Sequence, residues 1–399
     1  MRNVLSNPNL HIIFCVTLMA IVSVSSIVPV LPHMATHISG LSKANIGLVI
    51  TAFTLPGVLM APVAGILGDR IGRKNLLVPS LFVFGIFGFG CFFAKDLATL
   101  LALRFLQGLG AGPLGMLNLT IIGDLFEGRE RMAAMGYNAS MLSVGTAAFP
   151  ALGGLLALVG WNWPFVLPLI ALPLGLVVAF RLKTPPLERG ESLGLYMRSA
   201  ARRLRSWPAL TLFTVTFLTF VVLYGPIITY LPILLHSRYD ASATSIGAIV
   251  SISSFITALA SSQLGRLSKR FKGSTLMTWA FASYIVAMVF IPLMPGKWWT
   301  ILPVLFFGLG QGLNIPTLMT EISSLAPPQQ RSAFMATNGM ILRLSQTAAP
   351  MLMGWCYAVF GINAVYAAGA ATAVVMLCMT PLLLRAERVA RTEDATGER

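Results

Sequence analysis

Twelve apolar runs of roughly twenty or more residues each, separated by short polar connections, leave this chain few ways to fold. They fall at about 10–32, 44–67, 75–94, 97–122, 132–158, 162–180, 208–235, 244–264, 274–294, 298–322, 332–359 and 363–384 of its 399 residues. A bilayer core about 30 Å thick needs roughly 20 apolar residues per helix. Backbone amides in lipid must bond within their own segment, so each run is expected to be a helix. Charged residues make up 10% of the chain, against about 25% for soluble domains. The sequence therefore predicts an all-α membrane protein with twelve transmembrane helices and little room for a soluble domain.

The net charge of +15 raises the question of nucleic acid, and its placement answers it. With the N-terminus in the cytoplasm, only Lys43, Lys95, Arg238 and Lys297 fall in outer loops, and Arg104 and Arg343 fall inside spans. Every other basic residue lies on the inner side, which is the positive-inside pattern. The basic excess is topological, so no nucleic-acid partner is expected. A multi-pass protein of a bacterial-type cytoplasmic membrane with both termini inside is. Cys15, Cys91, Cys356 and Cys378 sit in apolar runs without metal-ligand spacing, so neither a disulfide nor a metal site is predicted. No cofactor is expected, and the first run reads as an uncleaved span rather than a signal peptide.

Shifted by 200 positions, the sequence matches itself. Pro32 meets Pro232, Gly65 meets Gly265, Arg70 meets Arg270, and Gly108, Gly110 and Gly112 meet Gly308, Gly310 and Gly312. Across positions 131–154 there are nine identities in 24, including Arg131/Arg331, Asn138/Asn338, Pro150/Pro350 and Gly154/Gly354. Internal repeats of this kind point to a secondary transporter. The expected organisation is a six-helix bundle at 1–180, a cytoplasmic linker at 181–207, a second six-helix bundle at 208–385 and a tail at 386–399. The linker is basic; Leu193 to Arg205 reads either as an amphipathic helix on the inner leaflet or as a solvated connection.

Between the second and third runs lies Gly65-Ile-Leu-Gly-Asp69-Arg70-Ile-Gly72-Arg73-Lys74, a dense charge cluster at the membrane surface. This decapeptide resembles the signature loop of the major facilitator superfamily, and the resemblance covers essentially the whole chain. Three further segments resemble the twelve-helix drug/proton antiporters. They are Pro29-Val30-Leu31-Pro32, then Leu100 with Arg104, Gln107 and Gly108, then Gly145, Pro150, Gly153 and Gly154. Phe149 stands where that last motif has glycine. The resemblance implies two pseudo-symmetric six-helix bundles working by alternating access, with helices 1, 4, 7 and 10 lining a cavity. It also implies that Gly65, Asp69, Arg70, Gly72 and Arg73, with Asp124, latch the cytoplasmic gate. Their alternative is a role as topology determinants only. Lys269 stands where Asp69 does in the first half, so the latch is asymmetric.

An intramembrane cation is costly, roughly 2.5–3.5 kcal/mol or more, and such residues usually face a cavity. Arg104 is a candidate for proton coupling or, alternatively, a structural ligand of carbonyls around Gly108 to Gly112. Arg343 corresponds to Ser143, so the repeat does not demand it, and it is the first candidate for a substrate contact. Asn118, Tyr224 and Asn314, among Met116, Phe217 and Phe220, are further lining candidates. Asn138 and Asn338 either flank the cavity or bond between helices. Glu321 and His33, with His236, are the remaining proton-coupling candidates; Glu321 reads equally as a helix-end or loop-pairing residue with Arg331 as its partner, and each histidine as an interfacial side chain. Gly145, Pro150 and Pro350 are expected to bend helices.

No Asp or Glu lies mid-span, so the expected cargo is neutral, zwitterionic or anionic. The first functional reading is a proton-driven exporter of small amphipathic compounds, with protons and the bilayer as partners and a monomer as the expected state. The alternatives are an uptake symporter for an anionic or sugar-like metabolite, or a lipid or glycolipid transporter. No nucleotide loop or catalytic grouping is present, so enzyme chemistry is not expected.

Overall fold

The computed structural model describes residues 4–184, 204–326 and 330–383. They fold into helices α1 (Pro8–His37), α2 (Gly47–Ile71), α3 (Arg73–Phe93), α4 (Leu97–Leu125), α5 (Gly128–Leu156) and α6 (Trp163–Arg181). The second half forms α7 (Trp207–Tyr239), α8 (Ala243–Leu267), α9 (Gly273–Leu293), α10 (Ile301–Leu325), α11 (Arg331–Phe360) and α12 (Ile362–Leu383). No strand occurs among the described residues, only an isolated bridge between Ser39 and Asp96. Ten of the helices are long and apolar enough to cross a membrane, and α2 contains a shorter apolar stretch, Gly47–Met60. The all-α membrane architecture expected from the sequence is thus what the chain adopts. The expected Leu193–Arg205 helix and the tail at 386–399 lie outside the described residues, apart from residues 204 and 205.

Local chemistry sets the helix ends. Asn7 accepts from the Asn9 amide ahead of Pro8, an arrangement suited to a helix start. Asp96 caps α4 by accepting from the Thr99 amide at 2.9 Å and the Thr99 hydroxyl at 2.7 Å. Those two bonds hold its carboxyl below the usual range, so the cap persists above pH 4 and loosens only as pH falls through that lowered value. Gly72 (φ +99°) and Gly361 (φ +81°) turn α2 into α3 and α11 into α12, a backbone region that glycine enters without strain.

The residues form two compact units, Met1–Gly190 with His236–Ser251, and Glu191–Leu235 with Ile252–Arg399. In the first, α4 packs between α2 and α3, α3 also packs on α6, and α5 packs on α1. In the second, α9 packs on α10 and α12, and α11 packs on α7.

The glycine ladder explains the closeness of α4 to its neighbours. A Cβ on Gly108 would run into the Phe53 carbonyl of α2, and one on Gly112 would lie 3.0 Å from Met60 Cβ on the same helix. On the opposite face, a Cβ on Gly110 would lie 2.6 Å from the Ser80 carbonyl oxygen of α3. The second unit repeats the device at the matching positions. Gly308 abuts the Ser253 carbonyl, Gly312 the Thr257 carbonyl, and Gly310 the Ala280 carbonyl and the Tyr284 ring. Small residues at such crossings let backbones approach where lipid provides no hydrophobic drive. The second unit adds Thr257 Oγ1 donating to the Gly308 carbonyl and Ser261 Oγ donating to the Gly312 carbonyl, both at 3.1 Å.

Gly110→Val is expected to cost at least the roughly 1–3 kcal/mol typical of overpacking, read as a lowered Tm of the detergent-purified protein. Gly123→Ala, where nothing lies within 4 Å of the new methyl, is the control and should not lower Tm, since alanine favours a helix over glycine.

Candidate functional site

Two arginines occupy the apolar helices, and their surroundings differ sharply. Arg104 on α4 is fully buried, with 0% exposure. Its Nη1 donates to Gln107 Oε1 at 2.7 Å, its Nη2 to the Ser23 carbonyl at 3.2 Å and its Nε to the Val49 carbonyl at 3.3 Å. The guanidinium also lies 4.5 Å from the centre of the Phe53 ring, a cation–π contact. Gln107 Nε2 closes the ring by donating to Ser23 Oγ at 2.5 Å. Arg104 therefore ties α1, α2 and α4 together. The carbonyls it holds are those of Ser23 and Val49 rather than those around Gly108 to Gly112 of its own helix.

Arg343 on α11 is half-buried. Among the described residues its guanidinium has no hydrogen bond or ion pair; its charge is felt by Tyr224 of α7. Beside it, Gln346 Nε2 donates to Tyr224 Oη at 3.0 Å, and Ser345 Oγ donates to the Phe217 carbonyl at 2.6 Å. The Phe220 ring is 6.3 Å from that of Tyr224. Arg343, Tyr224, Phe217 and Phe220 are thus brought together on α7 and α11 of one unit, joined by Gln346, which the sequence reading missed.

Tyr224 sits in a local irregularity. Residues Leu223–Tyr230 of α7 form a π-helix. Pro226 cannot donate to the preceding turn, and Thr229 Oγ1 donates to the Tyr224 carbonyl at 2.6 Å. π-turns concentrate at functional sites. The Gly225-Pro226 pair was the available signal in the sequence.

The repeated asparagines bond between helices. In the first unit Thr17 Oγ1 donates to Asn138 Oδ1 at 2.5 Å, while Asn118 Nδ2 donates to Thr17 Oγ1. In the second, Thr216 Oγ1 donates to Asn338 Oδ1 at 2.7 Å. Asn138 and Asn338 thus both accept a bond from a threonine of another helix. Asn314 donates from Nδ2 to Thr219 Oγ1 at 2.8 Å and to Tyr284 Oη at 3.3 Å; Tyr284 in turn donates to Gln311 Oε1 at 2.5 Å. Asn118 and Asn314 each keep a buried Oδ1 without a partner. Met116 is exposed on α4.

At the predicted gate, Arg73 forms an ion pair with Asp124, and its Nη1 donates to the Thr120 carbonyl at 3.1 Å. Arg131 donates from Nε to the Phe126 carbonyl at 2.9 Å and from Nη2 to that of Gly123, covering the end of α4. Arg70 is exposed. The Asp69 and Arg331 side chains, and with them the Glu321–Arg331 pairing, lie outside what is described, as does the surrounding of Gly65. Glu321 is half-buried in the last turns of α10.

The α5 motif is a packing surface. A Cβ on Gly145 would meet Ile21 and Leu18 of α1, one on Gly153 the Ser26 carbonyl, and one on Gly154 the Ala243 carbonyl. Thr244 Oγ1 donates to the Gly154 carbonyl at 3.0 Å, and Gly247 abuts the Pro150 carbonyl. Pro150 and Pro350 lie inside helices that run on without interruption. The His33 ring lies 4.8 Å from that of His236.

The contrast between the arginines yields a stability test. Arg104→Ala removes three charged hydrogen bonds of about 1.5–3 kcal/mol each before compensation, so a loss of about 3 kcal/mol or more is expected by thermal unfolding in detergent. Arg343→Ala should leave Tm within error or raise it. Equal losses at the two positions would contradict the distinction. Thr216→Val should cost about 0.6–2 kcal/mol, the range for an interhelical bond in a membrane.

Comparison with known proteins agrees with this geometry. A bacillibactin exporter of Bacillus subtilis (strain 168) is 27% identical over 312 residues, covering 74% of this chain and 76% of the relative. The class C tetracycline resistance protein of Escherichia coli is 25% identical over 376 residues, 92% of each chain. The crystal structure of the nucleoside transporter NupG matches with a TM-score of 0.79 at 13% identity, covering 94% of this chain and 98% of that one. The Major Facilitator Superfamily pattern matches residues 13–350. The chain belongs to the Major Facilitator Superfamily and is a multi-span membrane transporter.

Proposed function

We propose that this transporter is a proton-coupled exporter of small amphipathic compounds, neutral, zwitterionic or anionic, working as a monomer in a bacterial cytoplasmic membrane. The observation that carries the reading is Arg343: a half-buried guanidinium without a hydrogen-bonding partner among the described residues. An unpaired cation in hydrocarbon is expensive, and the cost is offset only if water or cargo solvates it. Tyr224 offers a polar group beside it, with the Phe220 ring packed next to that phenol. Export rather than uptake is favoured by the relatives, a bacillibactin exporter and a tetracycline resistance protein, and by the resemblance of the α5 glycines to the antiporter motif.

In this reading, twelve spans form two bundles, 1–180 and 208–385, joined by a cytoplasmic linker at 181–207, with both termini and the 386–399 tail inside. The bundles exchange access to the two sides of the membrane. The Arg73–Asp124 pair and Asp69, with Gly65, Arg70 and Gly72, latch the cytoplasmic side. Arg104, bonded on every arm, serves as a fixed brace. Proton exchange then falls to Glu321, which is half-buried, and to His33.

Everted membrane vesicles given an inward-acid proton gradient should accumulate an amphipathic dye such as a fluorescent tetracycline, and Arg343→Ala should abolish that accumulation with expression intact. Accumulation in right-side-out vesicles instead would favour uptake, and wild-type pumping by Arg343→Ala would retire the residue's role. Asp69→Asn should slow cycling severalfold while leaving cargo affinity unchanged, because a latch biases a conformational equilibrium rather than the site.

A further inference from the structure

Tyr224 Oη accepts a hydrogen bond from Gln346 Nε2 at 3.0 Å. A phenol that accepts still has its own proton to give. Among the described residues, nothing takes it. Arg343 lies one turn before Gln346 on α11, and its guanidinium carries N–H donors with no acceptor in the described protein. A guanidinium is donor-only and stays charged. Two neighbouring side chains therefore offer donors and a positive charge, both half-buried. Gln346 itself is 8% exposed, so it stands behind Tyr224.

Chemistry decides what such a pair takes. An amine or other cation would meet like charge and donors facing donors. A neutral amide would satisfy the hydrogen bonds but leave the buried charge without a counter-charge. An oxyanion satisfies both, through the charge-assisted hydrogen bonds in which arginine excels. No Asp or Glu lies mid-span to compete for the guanidinium.

We propose that Arg343 and Tyr224 form a two-donor subsite for an oxyanion, a carboxylate in the first instance, and that Gln346 is the positioning residue that fixes the Tyr224 phenol as donor. Phe220, buried and 6.3 Å from the Tyr224 ring, packs beside that ring. This narrows the transport reading above to one cargo class and rests on it.

The test uses the purified full chain in detergent with 1-naphthoate and 1-naphthamide, which differ in charge but little in shape. Dissociation constants come from titration followed by thermal shift. Naphthoate should bind and raise Tm, and naphthamide should bind at least tenfold more weakly. Arg343→Ala should abolish naphthoate binding. Tyr224→Phe and Gln346→Leu should each weaken it roughly tenfold, the scale of one hydrogen bond to a charged group, while lowering the Tm of the unliganded protein no more than Thr216→Val does. The double variant should bind no more weakly than Tyr224→Phe alone, since Gln346 acts through the phenol.

If the two losses multiply instead, Gln346 contacts the ligand independently and its positioning role falls. Ultraviolet resonance Raman, as a wild-type minus Tyr224→Phe difference, provides a readout that packing alone would not move. The phenol, which can donate to water in the free protein, should shift to the signature of a stronger, charge-assisted donor with naphthoate. A signature unchanged by naphthoate overturns the assignment. Equal binding of naphthamide, or no binding of naphthoate, overturns the oxyanion class. If vesicles still export a neutral dye in that case, export stands without the subsite; loss of both sinks both.

Discussion

A cation inside an apolar helix bundle must be solvated by something, and the rest of this molecule can be read from how that demand is met. Arg104 is solvated by protein: two backbone carbonyls, a glutamine and an aromatic face. Arg343 has no such shell among the described residues. In the proposed reading, the cost that protein meets at Arg104 is left at Arg343 for water or cargo to meet.

The demand for internal satisfaction shapes the backbone as well. Glycines at the α4 and α10 crossings let backbones touch, and in both repeats a threonine bonds to an asparagine on another helix, the asparagines at matching positions and the threonines one residue out of register. The match is one of device rather than of identity. Thr17–Asn138 and Thr216–Asn338 recur, yet Asn118 completes the first and has leucine at the corresponding position 318. Likewise the first helix of each repeat departs from α geometry near the same place, as a 3-10 turn at Val28–Val30 and a π-helix at Leu223–Tyr230. Symmetry supplies the frame, and divergence from it marks where the halves have taken different tasks.

Most of the fold was legible because hydrocarbon length and hydrogen-bond satisfaction act on runs of residues, which a sequence displays directly. The helix ends fell where glycine, proline and capping side chains stood, as at Gly72 and Asp96. The site was legible only in part. Arg343 stood out by its charge and by Ser143 at the repeat position, and Arg73 with Asp124 by complementary sign. Which carbonyls Arg104 would hold was not readable, because those of Ser23 and Val49 come from other helices. Gln346 was missed for a similar reason: an uncharged amide between Ser345 and Thr347 carries no signal until the crossing of α7 and α11 sets it on Tyr224. The α5 glycines pointed to a transport motif, while their physical task is close packing against α1 and residues 243–247.

The most direct measurement is water access at position 343. In a background with Cys15, Cys91, Cys356 and Cys378 replaced, Arg343→Cys and the adjacent Leu344→Cys would be treated with a membrane-impermeant thiol reagent. Only an ionised thiol reacts, which requires water. Rapid labelling at 343 and slow labelling at 344, where the native leucine is 49% exposed at the apolar surface, is the expected result. An inert thiol at 343, as unreactive as one facing lipid, would contradict the reading of Arg343 as a cation held ready for cargo.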